Sequence, residues 1–159
     1  MSRRLGMLIG IDVIAALIVL AVLLASLPTF VPVQVAKEFF GVSASVLSIV
    51  FSVFTAALAV IISSPDDKFV RWLESEGIYR DILFGFKSTL LALFTALVSS
   101  IGAFSWTVFQ IEAGVRLQHR SGLLIGSTLL AYALVATLLS TLAAIRHAHA
   151  RADFLRGSV

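Results

Sequence analysis

The sequence contains no cysteine, which excludes disulfide bonds, thiol catalysis and cysteine-based metal sites. Charged residues make up only 13% of the chain, whereas soluble globular domains contain about 25%. Proline is also scarce, and Pro28 and Pro32 mark the end of the first apolar segment. Hydrophobic residues, by contrast, account for 59% of the chain. A soluble domain of this length could not cover so much apolar surface, so the composition predicts a membrane protein.

Four long apolar segments carry this hydrophobicity. Each can cross a bilayer as a helix, since about 20 apolar residues span roughly 30 Å of hydrocarbon. They cover residues 5–27, 43–62, 83–109 and 123–145, and a basic tail follows over 146–159. We therefore expect an all-α integral membrane protein with a single membrane domain, an antiparallel bundle of four transmembrane helices. The first segment exceeds the apolar core of a signal peptide, about 7–15 residues, so we expect it to be retained.

A short cytoplasmic helix is predicted between the second and third membrane helices, over residues 64–76. Ser64 and Pro65, followed by two acids, are typical of a helix start. Apolar and basic residues then recur at helical spacing. The predicted interface comprises Phe69, Arg71, Trp72, Leu73 and Arg80. The pattern favours an amphipathic helix at the membrane surface, and a docking surface for a cytosolic protein is the alternative.

The basic residues divide unevenly between the two sides of the predicted bundle. Nine of the twelve Lys and Arg residues lie in the N-terminus, the middle connection or the tail, and Lys37, Arg116 and Arg120 lie in the other connections. The positive-inside rule then places both termini in the cytoplasm. We expect a multi-pass protein of the bacterial inner membrane whose basic tail contacts anionic lipid. His147 and His149 do not share a helix face, so they indicate no metal site.

Asp12 is an acid well inside the first membrane segment. A charge there costs roughly 2.5–3.5 kcal/mol on insertion scales, so we expect its side chain to face protein or water and to find a partner. Lys87, near the same end of the third segment, is the predicted partner. Two interpretations stay open. Asp12 is either a proton-responsive carboxylate or a structural group held by Lys87, or by Ser88 and Thr89.

Small and hydroxyl-bearing residues recur at helical spacing in the membrane segments. One row shares a face of the second helix and comprises Ser45, Ser48, Ser52 and Thr55. Gly122 and Gly126 have GxxxG spacing in the fourth helix. Such residues allow helices to pack closely. The alternative for the hydroxyl row is that it lines a water-filled path in an oligomer.

Sequence motifs for catalysis are absent, including a phosphate-binding glycine loop, HExxH and GxSxG. We expect no enzyme activity, no cofactor, no metal site and no nucleic-acid partner. The first functional hypothesis is a homo-oligomeric, pore-forming or membrane-perturbing subunit, like a toxin or defence effector, controlled from its cytoplasmic face. The alternatives are a proton-coupled small-molecule transporter that uses Asp12, and a membrane anchor or assembly partner for a cytosolic protein.

Overall fold

The computed structural model describes residues 2–63 and 78–157, with side chains placed over 10–59 and 83–146 and at 149. Within these ranges the chain is mostly helical, which confirms the predicted all-helical class. The elements in chain order are α1 (Ser2–Ser26), β1 (Phe30–Pro32), α2 (Val33–Ser63), α3 (Ile78–Glu112), β2 (Leu117–His119) and α4 (Ser121–Gly157). The helix predicted over 64–76 lies outside the described residues, together with Phe69, Arg71, Trp72 and Leu73. Arg80 belongs to α3.

Within the described residues, three helices are long and apolar enough to cross a membrane. Their apolar parts are Val33–Ala59, Leu83–Glu112 and Ser121–Arg146, and α1 contributes the shorter apolar stretch Gly10–Ser26. Large apolar side chains point away from the protein; Ile49, Leu91 and Ile125, for example, are 65%, 65% and 69% exposed. Lipid would cover such surfaces, whereas water would solvate them poorly. These features support a multi-pass membrane protein.

Two helices extend furthest beyond the predicted apolar segments. α2 begins at Val33, ten residues before the predicted start, and α4 continues to Gly157 through most of the predicted tail. The early start of α2 has a packing cause, because Val33, Ala36 and Phe40 recur at helical spacing and are all buried. Gly41 therefore lies inside α2, beside the ring of Phe104.

The helices pack in the order α1, α4, α3, α2, so that α4 contacts both α1 and α3. A dry core forms where α2, α3 and α4 meet. It includes Leu47, Leu93 and Ala133, none of which is exposed, and the rings of Phe54 and Phe86, whose centroids lie 5.7 Å apart. This core fills the bundle from its middle toward the end at which α3 begins.

A two-stranded antiparallel ribbon joins the α1–α2 and α3–α4 connections at the opposite end of the bundle, which we call the ribbon end. Its paired residues are Phe30 with His119, Val31 with Gln118 and Pro32 with Leu117. Two backbone hydrogen bonds extend the pairing: Val33 N–H donates to Arg116 O (3.1 Å), and Arg120 N–H donates to Thr29 O (3.0 Å). The ribbon therefore fixes the start of α2 against the start of α4.

Gly114 ends α3 in a left-handed conformation with φ of 77°. Its N–H donates to Ile111 O (3.0 Å), and the Val115 N–H donates to Gln110 O (2.9 Å). These two bonds satisfy carbonyl groups that the last helical turn would otherwise leave without donors. Glycine adopts this φ at no steric cost, so the turn sets the direction in which the chain leaves α3.

The Arg120 side chain holds the end of α1 at the ribbon. Its Nη1 donates to Leu27 O (2.7 Å) and to Leu24 O (3.1 Å), which are terminal carbonyl groups of α1 and its following turn. We expect Arg120→Leu to lower the free energy of unfolding in detergent by about 1–3 kcal/mol, because these acceptors lose a charged donor. Arg116→Leu is the matched control, since Arg116 is exposed and contributes its backbone carbonyl to the ribbon. An equal loss in both variants would contradict this role.

Candidate functional site

Asp12 lies in the interface between α1 and α4 and is only 5% exposed. One carboxylate oxygen accepts a hydrogen bond from the Val13 N–H (2.8 Å). Tyr132 of α4 is a neighbour of the carboxyl group. A buried polar group without a partner costs several kcal/mol in apolar surroundings. The pair therefore places two proton-bearing groups where each lowers the cost of burying the other.

The Asp12–Tyr132 pair lies near the middle of α1 and of the apolar part of α4. Asp12 is fourteen residues from the end of α1 at the ribbon, about 21 Å along the helix axis. Tyr132 is eleven residues from the start of α4, about 17 Å from the same end. Ala16 and Ala136, one turn from each member of the pair, are both buried, and such small side chains allow helices to approach closely.

Lys87, the partner that the sequence suggested, does not join this pair. Its side chain is exposed on α3, and α1 packs against α4 instead. The hydroxyl groups of α3 are also engaged elsewhere. Ser88 donates to Gly85 O (2.9 Å), and Thr89 bonds to Ser140 of α4. Asp12 therefore meets its polar partner on α4.

Thr89 and Ser140 form a second buried polar contact, between α3 and α4. Their hydroxyl oxygens are 2.6 Å apart, either can donate, and Thr89 is 4% exposed. Ser140 lies eight residues beyond Tyr132, about 12 Å further from the ribbon end. The buried Ala133 and Ala136 of α4 lie between these two polar levels.

A cavity of about 380 Å³ opens between α3 and α4 at the ribbon end. Its polar lining includes Thr107, Gln110 and His119, and its deepest residue on α4 is Leu129. Leu129 lies one helical turn from Tyr132, about 4.5 Å along the axis. Among the described residues, no Asp, Glu, Lys or Arg lines the cavity. A mostly apolar cavity without charged residues in its described lining thus reaches within one turn of Tyr132 along α4.

The hydroxyl row of α2 faces away from the rest of the protein. Its four members, Ser45, Ser48, Ser52 and Thr55, are all exposed. Ser45 donates to Gly41 O (3.0 Å), Ser52 to Ser48 O (2.8 Å) and Thr55 to Phe51 O (2.7 Å). These hydroxyl groups are therefore satisfied within their own helix, and they do not pack α2 against its neighbours. The row is available to lipid or to another subunit.

The two glycines with GxxxG spacing differ in their surroundings. A Cβ atom added at Gly126 would lie 2.5 Å from Cε1 of Phe40, whereas one added at Gly122 would meet nothing within 4 Å. Gly126 therefore allows a close contact between α4 and α2. Both glycines border the cavity.

The long apolar helices and the buried acid together are typical of a multi-pass helical membrane protein with an ionisable group between its helices. No protein-family model matches the chain. No curated protein and no solved structure matches it either. Its function is therefore inferred from its own residues.

Proposed function

We propose that this chain is a non-enzymatic transport protein of the bacterial inner membrane, in which Asp12 takes up and releases a proton as a small solute moves. The observation that carries the proposal is the position of Asp12, 5% exposed and near the middle of α1, beside Tyr132. Ionisable residues inside a membrane are costly, and they commonly belong to ion or proton paths. The Asp12 carboxylate is the proton acceptor in this proposal, and the Tyr132 hydroxyl orients it.

The packing around this pair favours a carrier over a permanently open channel. The cavity ends one turn from Tyr132 on the ribbon side. On the other side, Leu93 and Ala133 are fully buried in the dry core. With both termini in the cytoplasm, as the basic residues predict, the ribbon end faces outward. Asp12 would then exchange its proton with one side of the membrane at a time, and a rearrangement of α1 against α4 would change sides.

Reconstituted protein tests the proposal. Liposomes that contain the protein and an internal pH-sensitive dye are given a pH gradient, and proton movement is recorded before and after a mixture of candidate solutes is added. We expect the gradient to collapse at the rate of protein-free liposomes before the solutes are added, and faster once a transported solute is present. Well-folded protein that leaves the gradient unchanged under both conditions would contradict a proton-coupled carrier.

A second candidate function, an oligomeric pore-forming or membrane-perturbing subunit, is favoured by the exposed hydroxyl row on α2. Because the dry core closes a single bundle, a pore would require several subunits with these rows facing a shared path. Hydroxyl groups that bond to their own helix keep lone pairs that can accept hydrogen bonds from water.

Leucine substitutions in the row distinguish the pore from the carrier. If the pore forms, the double substitution Ser52→Leu and Thr55→Leu should block ion flux, because large apolar side chains would dewet the path. Ser105→Leu is the matched control, since Ser105 is an exposed hydroxyl on α3 that bonds to its own helix in the same way. If transport depends on Asp12 instead, the double leucine variant and Ser105→Leu should both retain the flux of the unmodified protein.

A further inference from the structure

The ribbon has one buried face and one exposed face. Val31, in the middle of β1, is 4% exposed and packs in the core beneath the ribbon. Phe30 and Pro32, on either side of it, point the other way, because successive side chains of a strand alternate between faces. Directly paired residues of two strands share a face, so Leu117 and His119 of β2 join them. All four of these residues are exposed.

The exposed side, which we call the ribbon face, is largely apolar. Phe30 and Leu117 are 58% and 57% exposed. The rings of Phe30 and His119 contact each other edge to face across the two strands, with centroids 5.9 Å apart. Water solvates two large apolar side chains beside a proline poorly. An exposed apolar patch of this kind is typical of a surface that contacts a membrane or another protein.

The lipid-facing surface of α2 reaches the ribbon. Five large apolar residues of α2 are exposed and recur at helical spacing, so they form one lipid-facing stripe. Its members are Val35, Val42, Val46, Ile49 and Val53. The first member lies three residues beyond the end of β1. The ribbon therefore continues directly into a surface that lipid covers, and lipid is the occupant that this continuity favours.

The lengths of the apolar helices place the ribbon among the lipid headgroups. Val33–Ala59 of α2 and Ser121–Arg146 of α4 both begin next to the ribbon. With 27 and 26 residues, they extend about 39–41 Å. The hydrocarbon core of a bilayer is about 30 Å thick, and the headgroup regions bring the total to about 40–45 Å. A span centred in the bilayer thus ends about 5 Å outside the hydrocarbon, which is the level of the headgroups.

Other aromatic side chains are exposed at the same end of the bundle. Trp106 and Phe109 of α3 are 59% and 60% exposed, and their ring centroids lie 5.8 Å apart. They precede the end of α3 by six and three residues, about 9 and 4.5 Å along the axis. Tryptophan and tyrosine are enriched at membrane–water interfaces, where aromatic rings form belts. The ribbon face and these two rings together are consistent with such a belt.

We infer that the ribbon face is a lipid-contact surface, which lies at the boundary between headgroups and acyl chains in the leaflet at the ribbon end. Phe30 and Leu117 insert between the lipids. Arg116, the exposed neighbour of Leu117, has a side chain long enough to bind a lipid phosphate from there. The contact requires neither proton transfer at Asp12 nor a pore, so it does not depend on the proposed function.

Tryptophan fluorescence in lipid nanodiscs, both faces of which are open to solvent, measures this contact. Phenylalanine replaces Trp72 and Trp106, the two tryptophans of the chain, and Phe30→Trp supplies a single reporter on the ribbon face. Phosphatidylcholine that is brominated near the glycerol end or near the methyl end of its acyl chain quenches from the bilayer, and iodide quenches from water. We expect bromine near the glycerol end to quench Phe30→Trp more than bromine near the methyl end. Iodide should quench it several-fold less than a tryptophan amide free in solution.

Ile49→Trp and Leu117→Trp are the matched variants. Ile49 belongs to the lipid-facing stripe near the middle of the apolar part of α2, so bromine near the methyl end should quench Ile49→Trp more strongly. Leu117 lies on the paired strand, so Leu117→Trp should behave like Phe30→Trp, and it repeats the test if that variant does not fold.

Two results would overturn the inference. If iodide quenches the reporters on the ribbon face as strongly as the free amide, and brominated lipid does not quench them, the face lies in water. If neither iodide nor brominated lipid quenches them, a second copy of the chain covers the face instead of lipid.

Discussion

Replacing Asp12 with asparagine is expected to reduce pH-driven proton movement to the level of protein-free liposomes. Asparagine has nearly the same shape as aspartate but cannot bind and release a proton at the pH values of the measurement, so the transport step loses its proton acceptor. The fold should survive, because a neutral amide inserts at lower cost than a carboxylate, for which scales give about 2.5–3.5 kcal/mol. The measurement is the rate of dye response in liposomes that contain equal amounts of folded protein.

Two further variants sharpen this prediction. Tyr132→Phe removes only the hydroxyl group that neighbours Asp12 and keeps the carboxyl group, so we expect slower transport and not its loss. Glu112→Gln is the matched control, because Glu112 is an exposed acid at the end of α3. If Asp12→Asn and Glu112→Gln behave alike, Asp12 is a structural group and the transport proposal is wrong.

Gly126→Ala is expected to destabilise the protein by about 1–3 kcal/mol, the usual cost of overpacking a core. The added methyl group would lie 2.5 Å from Cε1 of Phe40. Phe40 is 3% exposed and packs with Val31, Ala36 and Leu123 beneath the ribbon, so a shift of its ring would disturb these contacts. Thermal or denaturant unfolding in detergent measures the effect.

Gly122→Ala provides the matched comparison in the same helix. Its methyl group meets nothing within 4 Å, so we expect no destabilisation and a gain of up to about 1 kcal/mol from the better helix former. Adding Phe40→Leu to Gly126→Ala should recover part of the loss, because the two changes act on one contact. Equal stability for the two alanine variants would show that α2 and α4 do not approach at Gly126.

Much of the helical architecture follows from the sequence, because a segment of about 20 apolar residues has few stable alternatives to a membrane helix. The boundaries are harder to predict. The segment after Pro32 combines buried and polar positions, and its continuation into α2 depends on Phe40 packing beside Gly126. The three-residue strands are too short to show an alternating pattern. Gly114, close to the end of the third apolar segment, was a usable signal for the turn there.

The candidate site could be predicted only in part. The burial cost of a carboxylate identifies Asp12 as unusual from the sequence alone. The partner of Asp12 depends on which helix packs against α1. Charge complementarity suggested Lys87 on α3. In the structure α1 packs against α4, and the neighbour of Asp12 is Tyr132. Tyr132 is a polar aromatic residue in the middle of an apolar segment, which was a signal for an interior partner.

The most direct test of the account is an infrared measurement of Asp12 protonation in the reconstituted protein. Difference spectra between acidic and alkaline conditions report the carbonyl stretch of protonated carboxyl groups. The account predicts a band that appears with acid, is absent in Asp12→Asn, and shifts in Tyr132→Phe because the hydroxyl group beside the carboxyl group is lost. If the difference spectra of the unmodified protein and Asp12→Asn are the same, Asp12 does not exchange a proton and the proposed mechanism is contradicted.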